Sequence, residues 1–380
     1  MPFEKTILVT GGAGFIGCCF VRHMLAVHPA YRILNLDKLT YAGRMENLQD
    51  VKSNTAHIFM HGDIGDESLL ERIFMVYKPD AVVNFAAESH VDRSISDPQL
   101  FLKTNILGTQ TLLEACRKYW PKEGLPEKPP ENLLQKPLMN PPANLLQNPP
   151  MKPPENLLQN PPQSANGNNL QYKFMQVSTD EVYGSLGAEG SFCETTPLSP
   201  NSPYSASKAS ADLFVRAYHE TYGVKINITR CSNNYGPYQY PEKLIPVMIL
   251  NALNDKPLPV YGDGLNVRDW LYVDDHCRAI DAVLHKGQSG EVYNIGGNNE
   301  QTNIAIVKML LKLLDKPESL ISYVEDRLGH DRRYAIDASK IRDELGWEPS
   351  MPFEEGMRRT VAYYVEMANR EEEACHRSGE

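Results

Sequence analysis

The chain has 380 residues, 42% hydrophobic and 23% charged, the make-up of an ordinary folded enzyme with two lobes or one large lobe with additions. Its formal net charge of −10, without a long Lys/Arg cluster, argues against a nucleic-acid-binding surface and leaves any anionic ligand to a few local cations. No apolar run approaches about 18 residues, so no membrane span is expected.

Seven scattered cysteines (Cys18, Cys19, Cys116, Cys193, Cys231, Cys277, Cys375) include no CxxC pair, which suggests reduced thiols rather than a disulfide or zinc framework. A strand pattern begins by Lys5 and leaves no room for a signal peptide, so the expected location is the cytoplasm. Thr6 to Thr10 is a short β-branched apolar run that reads as a buried parallel strand. It runs into Gly11-Gly12-Ala13-Gly14-Phe15-Ile16-Gly17, then a helical pattern through Ala26. Glycines at 11, 14 and 17, between a strand and a helix, let backbone N–H groups approach a pyrophosphate.

The next strand, Arg32 to Leu36, ends in Asp37, twenty residues past Gly17. That acid can accept hydrogen bonds from an adenosine ribose and would repel a 2′-phosphate, so NAD is expected over NADP. A helix cap or turn residue is the plainer reading of Asp37. The pattern then repeats. Ile58 to His61 is a strand ending in Gly62-Asp63-Ile64, and Ser68 to Val76 is helical. Ala81 to Phe85 is a buried strand ending in Ala86-Ala87-Glu88-Ser89-His90, and Leu100 to Tyr119 is a long helix carrying Thr104 and Asn105. Strands alternating with helices imply an α/β fold with a Rossmann-type, doubly wound parallel sheet and ligands at the strand carboxyl ends. Asp37, Asp63, Ser89 and Glu181 all fall at such ends. His90 has no partner at ligand spacing, so it reads as a substrate or structural contact, and no metal is expected.

Pro121 to Asn169 breaks the pattern with PPENLLQ, PPANLLQ and PPENLLQ at a period of twelve. The Pro pairs exclude regular helix or sheet. The segment reads as a surface loop from repeat expansion, with partner docking as the functional alternative. It links a helix end to a strand start, so it is expected on the face opposite the ligand.

Phe174 to Val177 is apolar and ends in Ser178-Thr179-Asp180-Glu181. A helix opens near Ser202 and carries Tyr204 and Lys208, which at i and i+4 share one face. A phenol beside an ammonium is a means of making Tyr act as a base, because a fixed positive charge lowers its pKa. Asp180 and Glu181 add a possible second acid and base. Neighbours on a strand point to opposite faces, so both reach one ligand only if the strand stops there, and Gly184 downstream suits an early turn. A cap or a structural ion pair is the plainer reading of the two acids.

That helix runs to about Tyr222, and Lys225 to Arg230 is a strand followed by Cys231-Ser232-Asn233-Asn234-Tyr235-Gly236-Pro237. Beyond it the repetition weakens. Helices are expected at Leu244 to Leu253, Asp275 to Leu284, Ile304 to Leu314 and Glu354 to about Asn369, with strands at Leu258 to Tyr261, Asn266 to Val273 and Val292 to Ile295. Residues 1–235 would form the dinucleotide-binding domain, 236–370 mainly a smaller α/β substrate lobe, and 371–380 a flexible tail. Lys243, Arg268, Arg332 and Arg333 are the cations available for a diphosphate.

The glycine motif with the Tyr204–Lys208 pair resembles the extended short-chain dehydrogenases/reductases. Finer motifs are similar to the dTDP-glucose 4,6-dehydratase family: Asp37-Lys38-Leu39-Thr40-Tyr41-Ala42-Gly43, Phe85 to Asp92, Ser178 to Gly184, and Asn233 to Pro237. The resemblance covers nearly the whole chain except 121–169 and the last dozen residues. It implies that Tyr204 takes the sugar 4-hydroxyl proton while hydride passes to NAD, and that Lys208 holds the nicotinamide ribose and lowers the Tyr204 pKa. Thr179 would bond the 4-oxygen, Glu181 would remove the C5 proton, and Asp180 would protonate the departing 6-hydroxyl. It also implies cofactor contacts from Gly11, Gly14, Phe15, Ile16, Gly17, Asp37, Lys38, Leu39, Thr40, Asp63, Ile64, Ala86, Ala87, Ser89, Thr104 and Asn234. The nucleoside-diphosphate sugar, dTDP-glucose, would meet Ser89, His90, Asn233, Lys243, Leu244, Pro259, Val260, Tyr261, Arg268, Asn303 and His330, with the 326–334 loop around its diphosphate. Relatives commonly carry Pro where this chain has Leu328. By analogy the family dimerises through helices at roughly 101–119 and 204–222. Competing functions are a dehydratase of UDP-glucose, a sugar-nucleotide 4-epimerase or decarboxylase, and an NAD-sensing protein without catalysis. The acid pair speaks against the epimerase, and the intact Tyr204 and Lys208 against the sensor.

Overall fold

The computed structural model describes residues 3–121, 170–327 and 329–378. The repeat insertion and Leu328 lie outside the described residues. Twelve strands are described: β1 (Lys5–Thr10), β2 (Tyr31–Asp37), β3 (His57–His61), β4 (Ala81–Asn84), β5 (Lys173–Thr179), β6 (Lys225–Cys231), β7 (Asn233–Tyr235), β8 (Leu258–Tyr261), β9 (Val267–Tyr272), β10 (Val292–Ile295), β11 (Glu300–Thr302) and β12 (Ile321–Val324).

Seven of them form one parallel sheet in the order β10-β6-β5-β4-β1-β2-β3. The strand order reverses between β1 and β4, and a crevice opens at the carboxyl ends there. Alternation along β1 separates two apolar layers. Ile7 and Val9 face helices Phe15–Val27 and Val273–Lys286, whereas Leu8 faces helices Glu67–Tyr77, Thr109–Tyr119 and Pro203–Tyr222. Both layers are dry, which is why these strands read as continuous apolar runs.

Helix Val273–Lys286 packs on Phe15–Val27, and β10 pairs with β6. Residues 273–295 therefore return to the large sheet after the chain has left it. The smaller lobe consists of a three-stranded sheet β11-β9-β7, a parallel pair β12-β8, and helices Leu244–Leu253, Asn303–Leu313 and Phe353–Ser378 around a third core of Ile249, Leu310 and Tyr364.

The expected long helix from Leu100 is interrupted. It begins as Pro98–Phe101, widens to a π-helical stretch at Leu102–Gly108, and resumes as Thr109–Tyr119. In the wide turn Asn105 accepts from the Glu88 N–H (2.8 Å) and donates to the Glu88 carbonyl (3.0 Å) and Ser207 Oγ (2.8 Å). Such bulges occur where a side chain must be turned to a site. The last helix reaches Ser378, past the expected end near Asn369, because its acidic and basic residues pair at i,i+4, as Glu366 does with Arg370.

Phe174 on β5 is fully buried in the layer beneath helix Pro203–Tyr222. Phe174→Ala is expected to cost about 3–5 kcal/mol in denaturant unfolding. A loss under about 1 kcal/mol in that titration would contradict a close-packed layer at this point.

Candidate active site

At the end of β1 the chain turns through Gly11, whose φ is +70°. A Cβ there would lie 2.7 Å from the Ala86 backbone nitrogen, and one on Gly17 would lie 2.2 Å from the Gly11 carbonyl. Helix Phe15–Val27 starts at Gly14 with no side chain capping its first turn. Its leading N–H groups are thus left for an anion. Asp37 closes the cradle: Ala13 N–H donates to its Oδ2 (2.9 Å) and Leu39 N–H to its Oδ1 (2.8 Å). Burial raises the Asp37 pKa and these two donors partly offset it. Each oxygen keeps a lone pair for a ribose hydroxyl. These residues fit a dinucleotide. Lys38 and Asp63 face each other as an ion pair at 2.7 Å beside this pocket. Ile64 is buried beneath Gly108, tying the β3 loop to the π turn that carries Thr104. The Ala86 N–H points to Thr10 Oγ1, which anchors the Ala86-Ala87 loop to β1.

β5 stops at Thr179, and Asp180–Tyr183 is a single 3₁₀ turn. The Glu181 N–H donates to Thr179 Oγ1 (3.3 Å), and the Thr179 hydroxyl reaches Asp180 Oδ1 (3.3 Å). Gly184 closes the turn at φ +90°, where a Cβ would lie 2.4 Å from the Ser199 carbonyl. The early end of the strand removes the alternation that would have separated the two acids.

Helix Pro203–Tyr222 starts with a reciprocal Ser202–Ser205 capping box and Pro203 in its first turn. Tyr204 and Lys208 are both buried. The Thr179 hydroxyl stands beside the Tyr204 phenol, and Lys208 Nζ donates to the Val177 carbonyl (2.7 Å). Burial and the Glu181 charge hold the phenol well above its ordinary range, with Thr179 pulling the other way. Lys208 is itself lowered by burial. The expectation of a lowered Tyr204 pKa is therefore corrected: burial and the Glu181 charge outweigh the neighbouring ammonium, which gives one of its three donors to a backbone carbonyl and keeps two.

The two acids differ. Asp180 is buried, its Oδ2 has no partner, and burial with the charges of Glu181 and Asp269 holds it well above the carboxylate range. Glu181 is half-buried, raised by burial but drawn back by Lys243, Arg268 and Arg327. Lys243 Nζ donates to the Ser89 carbonyl (2.7 Å). Arg268 donates to the Asp331 carbonyl (2.9 Å) and stacks 4.3 Å over Tyr334.

The expected cation set divides. Lys243 and Arg268 face the acids, whereas Arg332 pairs with Asp263 (2.8 Å) and Arg333 with Glu300 (2.7 Å) on the exposed side. Arg327, which the sequence offered only as part of a loop, lies within electrostatic reach of Glu181 and packs 4.6 Å over Tyr261. His330 bonds Asp326 (2.6 Å) edge-on to Tyr261. His90 caps a short helix by accepting from the Arg93 N–H and lies 3.9 Å from Glu242. Leu244 opens the helix that follows Lys243, and Asn303 is tied through its N–H to the Asn266 carbonyl. Val260 requires a second correction. Alternation along β8 turns its side chain into the small lobe's core, leaving Pro259 and Tyr261 on the other face.

Asn234 sits under the pocket floor, donating to the Ser232 carbonyl (3.0 Å) and facing His276 Nδ1 (2.9 Å), while Asn233 Oδ1 is buried without a partner. Sequence reasoning missed Cys231. It is buried among Lys208, Asp180 and Tyr204, and burial pushes its thiol up to about 12. Its position at the carboxyl end of β6 was the available signal.

The comparisons with known proteins agree with this arrangement. The model described as "NAD dependent epimerase/dehydratase family" matches residues 7–296. A dTDP-glucose 4,6-dehydratase of Xanthomonas campestris pv. campestris is 52% identical over 369 residues, covering 95% of this chain and 93% of that protein. The crystal structure of the dTDP-glucose 4,6-dehydratase DesIV of Streptomyces venezuelae, solved with NAD bound, is 45% identical with a TM-score of 0.80, over 95% of this chain and 97% of that one. A UDP-glucose 4-epimerase of Thermotoga maritima shares the fold at a TM-score of 0.77 and 30% identity, over 96% and 99% of the two chains. The chain belongs to the NAD dependent epimerase/dehydratase family.

Proposed function

We propose that the chain is an NAD-dependent dTDP-glucose 4,6-dehydratase, a hydro-lyase that yields the 4-keto-6-deoxy sugar nucleotide. The observation that carries this reading is the turn Asp180–Tyr183, which places two unlike carboxyl groups beside Tyr204. A 4-epimerase needs the phenol but has no use for the acid pair. The fold cannot separate the two, since the epimerase structure matches it almost as well as the dehydratase does. The thymidine nucleotide rests on the similarity to the dehydratases.

NAD, held by the glycine turn, Asp37 and Lys208, supplies the hydride acceptor and donor and, in its oxidised form, a positive ring. With burial and the Glu181 charge offset by the positive ring of the bound cofactor, Tyr204 acts as phenolate and receives the 4-hydroxyl proton, and the Thr179 hydroxyl steadies the 4-oxygen. With C4 a ketone, the C5–H bond becomes acidic enough for a carboxylate. Glu181 takes that proton. The C6–O bond breaks, and Asp180 gives its proton to the departing hydroxyl, which leaves as water. As C6 is reduced, Glu181 restores the proton to C5. Lys243, Arg268 and Arg327 hold the diphosphate. The six described cysteines are free, which suits the reducing cytoplasm.

Incubation with dTDP-glucose is expected to give a product lighter by one water, with no net build-up of reduced cofactor. An inverted hexose, or a preference for UDP-glucose, would overturn the assignment. Glu181→Gln is expected to oxidise C4 and then stall, at least about 100-fold slower in water loss. Turnover of that variant at the unmutated rate removes Glu181 as the base.

The acids also set the pH profile. Glu181 works as its anion, so activity falls as pH drops through its raised pKa. Asp180 works protonated, so activity falls as pH rises through its own. Lys243 favours the Glu181 anion in the free enzyme, and Lys243→Met therefore moves the acidic limb of kcat/KM to higher pH. An unmoved limb would show that this cation does not act on the base.

A homodimer completes the proposal. Leu102 and Leu107 on one long helix, and Leu213, Phe214 and Tyr222 on the other, are exposed, at 58% for Leu107 and Leu213. Two copies would bury these faces in a four-helix contact. Leu107→Glu with Leu213→Glu is expected to halve the mass in sedimentation, and an unchanged mass would place the contact elsewhere.

A further inference from the structure

One side-chain cluster is unused by this chemistry. It lies at the edge of the large sheet away from the cleft, where helices Phe15–Val27 and Val273–Lys286 end and β2 begins. Three imidazoles converge there on one carboxylate. His23 Nε2 is 2.7 Å from Asp281 Oδ2, His28 Nε2 is 3.0 Å from Oδ1, and His285 Nδ1 is 2.7 Å from Oδ1. The donor atoms of His28, Asp281 and His285 all lie within 4.8 Å of one another.

We propose that His28, Asp281 and His285 form a binding site for a divalent transition-metal ion, zinc or a close congener, that fastens the first helix to helix Val273–Lys286. Two imidazole nitrogens and one carboxylate oxygen suit such ions, whereas calcium and magnesium take oxygen ligands. Zinc bonds of about 2.0–2.1 Å put tetrahedral ligands about 3.3 Å apart, so the nitrogen–oxygen spacings of 3.0 and 2.7 Å need open by about 0.3 and 0.6 Å. Asp281 and His285 stand four apart on one helix face. The His28 and His285 rings lie side by side, centroids 4.6 Å apart at 23°.

The surroundings hold these ligands in place. Tyr31 Oη lies 3.2 Å from His285 Nε2, and His23 takes the far carboxylate oxygen, while His285 Nδ1 donates to the Asp281 backbone carbonyl (3.0 Å), a proton that the ion would displace on binding. Outer partners of this kind orient metal ligands. Both helices point their carboxyl ends here, and that end of a helix dipole favours a cation. The side chains of His28, Asp281 and His285 are 20%, 12% and 23% exposed, so one side is open for a water as fourth ligand.

The test uses the full-length chain after chelator treatment, titrated with zinc against a chromophoric competitor. One ion per chain is expected, with a thermal midpoint raised by several degrees. His28→Ala and His285→Ala should each weaken binding at least about 10-fold, and Tyr31→Phe by about 10-fold. Should a variant misfold, cobalt on the unmutated chain reports instead: visible bands without a thiolate charge-transfer band are expected. No stoichiometric uptake, uptake unchanged in both histidine variants, or a thiolate band would overturn the proposal.

Discussion

Everything in the cleft depends on β5 ending at Thr179. A strand that continued by one or two residues would turn Asp180 and Glu181 to opposite faces of the sheet. The Thr179 hydroxyl ends it by taking the Glu181 N–H, and Gly184 allows the chain out of the turn at an angle no other residue adopts without strain. Ser199 then pins the turn by donating its N–H to the Val182 carbonyl at 3.0 Å. The acid pair is therefore a backbone achievement first and a choice of side chains second.

Charge gives the two acids their separate tasks. Both are raised by burial, and alone they would titrate as a mutually repelling pair. The difference lies in the neighbours. Glu181 faces Lys243, Arg268 and Arg327, while Asp180 faces Asp269 and has an oxygen with no donor. At an effective dielectric of about 20, one cation at about 4 Å is worth about 4 kcal/mol, ample to order two carboxyls. In the proposed mechanism the same cations meet the diphosphate, which would couple substrate binding to base strength. As phosphate oxygens neutralise the cations, Glu181 loses its support and becomes a stronger base when its substrate arrives.

Much of this was legible in the residues. Continuous β-branched runs gave the parallel strands within a residue or two, because both faces of the sheet are dry and nothing interrupts the pattern. Thr179, Asp180, Glu181, Tyr204 and Lys208 were found together because they stand on consecutive elements, a strand end and the next helix start. Residues that reach the cleft from the 326–334 loop were reached only as a loop, through the family resemblance, and not one by one. Arg327 and Asp331 come from a segment with no periodicity, and Cys231 reads as a small buried residue until β6 is aligned with β5. The π stretch was invisible because its cause, Asn105 reaching Glu88, is a tertiary contact. The expected lowering of the Tyr204 pKa failed for a related reason. Spacing puts Lys208 beside Tyr204, but only the fold shows the burial and the Glu181 charge that outweigh it.

The sheet also explains how one chain carries so much unrelated sequence. The described ends that flank residues 122–169 are tied to the amino edge of the strands: Trp120 Nε1 donates to the Pro79 carbonyl, and the Tyr172 N–H to the Asp80 carbonyl. The chemistry lies at the carboxyl edge. Each tie holds its end of the chain before the first residue of the inserted repeat can pull on it. The length of the insertion therefore changes loop-closure entropy, which grows only logarithmically, and leaves strand register untouched. Register is what fixes where β5 stops, and so the constraint at Thr179 is insulated from the part of the sequence that looks least like an enzyme.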